Sequence, residues 1–120
     1  SEMIESIQKL LEKEQDLVLL KNNIKKTIKL NSINKKEWET FENNLYKSHE
    51  DFIKRLTSKY PKLSSKDIKL CIYLKMSLSS KEIAPLMNIS FRGVELHRYR
   101  LRKKLDLQQD VNLSSFMNTI

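Results

Sequence analysis

The chain has 120 residues, 32% of them charged, with one Gly, two Pro, one Cys and a net charge of +8. That length allows one modest core plus an appendage, and the scarcity of Gly and Pro points to helices. A lone cysteine excludes an internal disulfide and fits a reducing cytoplasm, and there is no run of about 18 apolar residues to span a bilayer and no signal-peptide pattern. Charge is uneven: residues 1–60 hold 12 basic and 10 acidic groups, residues 61–120 hold 11 and 5. The positive excess therefore sits in the second half, as a nucleic-acid footprint would. Enzyme chemistry finds no support, because there is no Gly-rich phosphate loop, no His and carboxylate pair at ligand spacing and no nucleophile with a base. No catalytic residue, cofactor, metal or small-molecule substrate is expected.

Residues 2–30 carry a heptad. Met3, Ile7, Leu10, Leu17, Ile24 and Ile28 follow the alternating four-three spacing of a and d positions, with Glu14 and Lys21 as polar exceptions. This pattern favours a dimerising coiled coil over residues 1–31 rather than an amphipathic helix lying on the domain. Asn31-Ser32-Ile33-Asn34 breaks it, and Asn34 with Glu37 has capping-box spacing for a new helix. That linker segment, residues 32–61, places Trp38, Phe41, Leu45, Phe52 and Leu56 on one stripe of one helix, with His49 as a structural residue among them. Tyr60-Pro61 ends the helix, since a residue before proline is biased away from helical angles.

Residues 62–120 read as a four-helix domain. Ser64 and Asp67 open its first helix, with Ile68, Cys71, Ile72 and Leu74 inward and Cys71 as a buried structural thiol. Ser79 and Glu82 form a second capping box, Ile83, Leu86 and Met87 face the core, and Asn88 suits a left-handed turn residue. Ser90 caps the next helix, where Val94, Leu101 and Leu105 share one side at spacings of seven and four. Arg92, Leu96, Tyr99 and Lys103 share the opposite side, flanked by Glu95, Arg100 and Arg102. From Arg92 to Lys104 there are six basic residues and one acid. A short helix, a tight turn and a basic helix make the helix-turn-helix signature. Asp106 to Asp110 is expected as a loop. Asn112 to Ile120 is expected as a last helix, which either contacts a second chain or covers its own core.

Lys81-Glu82-Ile83-Ala84, Ile89-Ser90, Arg92, Val94, His97 and Lys104-Leu105 resemble the DNA-binding domain of LuxR-type regulators. Gly93 and Glu95 depart from that pattern, which usually has Thr and Lys there. From Trp38 onward, Phe41, Phe52, Tyr60-Pro61 and the run Arg98 to Leu105 look like the cytoplasmic tail of bacterial membrane-spanning regulators with a propeller sensor. The resemblance implies an all-α output domain of a signal-transduction protein, binding double-stranded DNA with the helix Ser90–Leu105 in the major groove. The chain would be cytoplasmic, with any membrane attachment coming from a preceding part of a longer protein. A homodimer is expected through the N-terminal helix, and through the C-terminal helix if that helix pairs.

Base contacts fall to Arg92 on guanine, Glu95 on cytosine, Leu96 on a thymine methyl, and Tyr99. Phosphate contacts fall to Lys81, Arg100, Arg102, Lys103 and the first-turn amides after Ser79 and Ser90. Arg98, near the buried edge, is expected to pair with Glu82, and Gly93 to permit a close backbone approach. The competing readings are a helix-turn-helix protein-interaction module without DNA binding and a sigma-factor-like promoter reader. The dense basic face speaks against the first, and the heptad with the Trp38 segment against the second.

Overall fold

The computed structural model describes residues 2–5, 7 and 34–120. Among these there is no strand, so the expected all-α class holds. The six helices of residues 34–120 are α1 (Lys35–Ser48), α2 (Glu50–Lys59), α3 (Ser65–Lys75), α4 (Ser80–Met87), α5 (Phe91–Lys104) and α6 (Leu113–Met117). The chain divides into two compact units, Ser1–Glu50 and Asp51–Ile120.

In the first unit residues 2–5 and 7 are helical, with Ile4 and Ile7 buried and Met3 half-buried. The other apolar positions of the heptad, Leu10, Leu17, Ile24 and Ile28, lie outside the described residues. Asn34 caps α1 by accepting the Glu37 amide at 2.8 Å, and its side-chain amide donates to Glu37 Oε1 at 3.2 Å. Phe41 and Leu45 are buried, and Trp38 packs on Phe41 with ring centroids 5.1 Å apart.

The single aromatic helix read from the stripe is in fact two, divided at His49. An unbroken helix would give the Leu45 carbonyl to the His49 amide. The His49 ring takes that carbonyl instead, Nδ1 to O at 2.8 Å, while the amide turns to the Tyr46 carbonyl at 3.1 Å. A side chain that replaces its own backbone donor ends the ladder there.

The second unit is built on α3. Ser64 and Asp67 form a full capping box, and Leu70 through Leu74 are buried without interruption. Such a run has no exposed stripe because α3 packs against both α5 and α6. Ile68, expected inward, is only half-buried, while Leu70 and Tyr73 are in the core. Of α2, Phe52 and Leu56 are buried, and Lys75 Nζ sits 4.9 Å from the Phe52 ring centre. Leu113 and Met117 of α6 are buried, so this helix covers the core of its own chain. No helix of the described residues is long and apolar enough to cross a membrane.

Three helices end alike. Ser77, Asn88 and Asp106 take positive φ of 61°, 54° and 55° after α3, α4 and α5. In each case the next residue bonds back to the helix: Leu78 to Tyr73, Ile89 to Ala84 and Leu107 to Arg102, at 3.0–3.2 Å. These are Schellman endings made without glycine. The middle one sets the tight turn that separates α4 from α5.

Candidate nucleic-acid interface

Ser79 Oγ accepts the Glu82 amide, and Glu82 Oε1 accepts the Ser79 amide at 2.9 Å, so the start of α4 is fully boxed. Pro85 stands on the exposed side of this helix, where its missing N–H disturbs no core contact. After the Asn88 turn, Ser90 Oγ accepts the Gly93 amide at 3.0 Å and α5 begins. A Cβ on Gly93 would lie 3.3 Å from that hydroxyl and 3.4 Å from Ile89 Cβ, so the glycine relieves crowding at the cap.

Val94, Leu101 and Leu105 are buried, as their spacing predicts, and this seam presses α5 onto α3 and α4. One edge of α5 is pinned through Asp67. That buried carboxylate takes the Ser64 amide at 2.9 Å, His97 Nε2 at 2.8 Å and Lys104 Nζ at 2.5 Å. Burial by itself would raise its pKa. The Lys104 ammonium, the Ser64 amide and His97 outweigh burial and hold it well below the usual carboxylate range.

The other edge is arranged differently from the expected Arg98–Glu82 pair. The carboxylate beside Arg98 Nε is that of Glu95, 3.8 Å away and one turn earlier on the same helix. Glu95 also accepts from Ser80 Oγ of α4 at 3.2 Å. Burial pulls the Arg98 guanidinium below its ordinary pKa, the Glu95 charge works against that, and neighbouring Arg102 adds to it. Arg102 Nη1 donates to the carbonyls of Val111 and Gln108, tying α5 to the loop that follows it.

Between these edges Arg92, Leu96, Tyr99, Arg100 and Lys103 are exposed, with Lys103 Nζ 4.6 Å from the centre of the Tyr99 ring. Lys81, near the start of α4, is exposed as well. Three grooves lie along the helix, one of them lined by Arg98, Tyr99, Arg102, Lys103 and the loop residues Leu107 and Gln109. On the α4 side Ser79, Ser80, Lys81, Phe91, Glu95 and Arg98 line a second. On the α3 side the third holds Lys66, Ile89, Gly93, Leu96, Arg100 and Lys104.

The residues expected as base or phosphate contacts thus lie on α5, on its cap or at the start of α4. Lys66, Ile89 and Phe91 join the lining of these grooves without a contact pattern of their own in the sequence. Lys66 comes from a different helix, and only packing of α3 on α5 brings it alongside Arg100. Phe91 stands immediately after the Ser90 cap, next to the buried edge by periodicity, yet it is exposed. Cys71 is fully buried, and burial together with the Asp67 charge pushes its thiol up to about 12.

Residues 62–117 match the family described as bacterial regulatory proteins, luxR family. No curated protein and no solved structure matches the chain.

Proposed function

From the premise that residues 62–117 form a luxR-family helix-turn-helix domain, a DNA-binding transcription-regulator module, we propose that α5 is its reading helix in the major groove. The observation that carries this is the outer face of α5, which presents Arg92, Leu96, Tyr99, Arg100 and Lys103 to solvent on a helix clamped along both edges. An α-helix fits the major groove, and its base edges carry a readable pattern of donors, acceptors and methyls. Arg92, Glu95, Leu96 and Tyr99 are the base contacts. Lys81, Arg100, Lys103 and the amides following Ser79 and Ser90 meet phosphates, with Arg102 sharing its remaining N–H groups between the loop and the backbone of the duplex.

In this reading the chain is the output end of a signalling protein in the cytoplasm, and two copies act together. The heptad of residues 1–31 pairs them and delivers two reading helices to half-sites about one turn of DNA apart. Leu17→Asp puts a charge into that seam. Sedimentation of a dimeric parent and a monomeric variant supports the pairing, and a parent monomeric at tens of micromolar removes it.

The test of the reading helix separates affinity from specificity. Lys103→Ala should weaken binding to all duplexes alike and lower the salt slope by about one. Tyr99→Ala or Glu95→Ala should lose preference for a selected site, on the order of 1–3 kcal/mol per base contact. Indistinguishable Lys103→Ala and Tyr99→Ala profiles across many sequences would sink the assignment.

A further inference from the structure

Among the described residues two polar side chains are buried, Asp67 and Ser80. Asp67 is accounted for by its clamp on His97 and Lys104. Ser80 stands just after the cap of α4, and the capping box is completed by Ser79 and Glu82 without it. Its hydroxyl reaches across to α5 and donates to Glu95 Oε2 at 3.2 Å. A hydroxyl withdrawn from water needs a partner, and a carboxylate is a strong acceptor.

Glu95 is the only acid between Arg92 and Lys104, and half of its side chain, 50%, stays exposed. It lines both the groove on the α4 side and the one that runs toward Leu107 and Gln109. Arg98 Nε, 3.8 Å away, also faces Oε2, so both anchoring contacts fall on one oxygen. That leaves Oε1 to accept from outside the fold. An unanchored glutamate would lose rotamer freedom on meeting a base, and the phosphates along the groove would repel it. The Ser80 hydroxyl restricts the side chain before DNA arrives, and the Arg98 charge offsets the repulsion.

We infer that Ser80 is a positioning residue for base reading: by holding Glu95 Oε2 it aims Oε1 at the amino group of a cytosine. The inference rests on the reading of α5 as a major-groove helix with Glu95 among its base contacts. Cytosine suits the aimed oxygen because its major-groove edge offers the N4 donor. Guanine and thymine present acceptors, which a fixed carboxylate repels, and adenine sets its N7 acceptor beside its amine. The anchor therefore acts on discrimination more than on affinity.

The full chain selects duplexes from a random library, and the four base pairs are then exchanged at each position of the selected site. Glu95→Ala marks the position that Glu95 reads, where the preference for cytosine collapses. At that position Ser80→Ala, which leaves the Ser79 cap intact, should lower the preference for cytosine about fivefold, the scale of one net hydrogen bond. Preferences at the other positions should not change. In the Glu95→Ala background Ser80→Ala should add nothing, because one residue acts through the other. Ser80→Ala preferences identical with those of the parent overturn the inference and leave Glu95 a base contact. So does a Ser80→Ala loss of the same size on every duplex, or a further loss in the double variant. A Glu95→Ala chain with the parent's preferences at every position removes Glu95 from the base contacts, and this inference with it.

Discussion

Asp67 holds a negative charge in a nearly dry position and shares it among the Ser64 amide, His97 and Lys104. Its pKa is lowered on folding, so its contribution to stability is complete above the unfolded carboxyl value of about 3.9. That contribution is lost as pH falls below this value toward the folded one. Denaturant unfolding should therefore show the parent losing stability below about pH 4. Asp67→Asn should be less stable at neutral pH by about 2–3 kcal/mol, the scale of a hydrogen bond to a charged group, with a flatter acid limb. An acid limb equally steep in both proteins would show that other carboxylates dominate. Cys71 supplies a second check at this scale. With its thiol pushed up to about 12 and no exposed surface, it should resist thiol reagents at pH 8 in the native chain and react on unfolding.

At the scale of elements, the helix ends carry the strain. Ser77, Asn88 and Asp106 occupy left-handed backbone that L-residues enter at a cost, and the only glycine, Gly93, sits elsewhere. Ser77→Gly is expected to raise stability by up to about 1 kcal/mol, and Asn88→Gly by less, because asparagine tolerates this region. Asn88→Val should cost about 1–2 kcal/mol. Denaturant midpoints of the three variants check the order, and a Ser77→Gly chain less stable than the parent would contradict it. Asn88 was legible as a turn residue in the sequence because it lies between two capping signals. Ser77 was not, since serine marks helix starts more often than left-handed ends.

For the whole molecule, the uneven charge is the property that acts at a distance. With the net +8 weighted toward residues 61–120, association with duplex should slow steeply as salt rises. Residues 51–120 form a compact unit with their own buried core, so that fragment should fold alone and keep a helical circular dichroism spectrum. If two chains act together, the fragment should also bind a two-half-site duplex more weakly than the full chain, because the heptad is gone. Equal affinities in a direct titration would assign all of the binding to residues 51–120.

The order of α3 to α6, the helix starts at Asn34, Ser64, Ser79, Ser90 and Asn112, and the buried side of α5 were determined by the sequence alone. Capping and periodicity are local, acting over three or four residues, so they survive without knowledge of the neighbours. The tertiary structure alone decided what depends on residues far apart in the chain. Asp67 meets His97 and Lys104, thirty and thirty-seven positions on. Leu70 to Leu74 are buried all round because α3 has helices on more than one side, and a fully covered helix has no stripe to read. Glu95 accepts from Ser80 because packing sets α4 beside that edge of α5. The break at His49 turned on a competition between a ring nitrogen and a backbone amide for one carbonyl, which no residue pattern encodes.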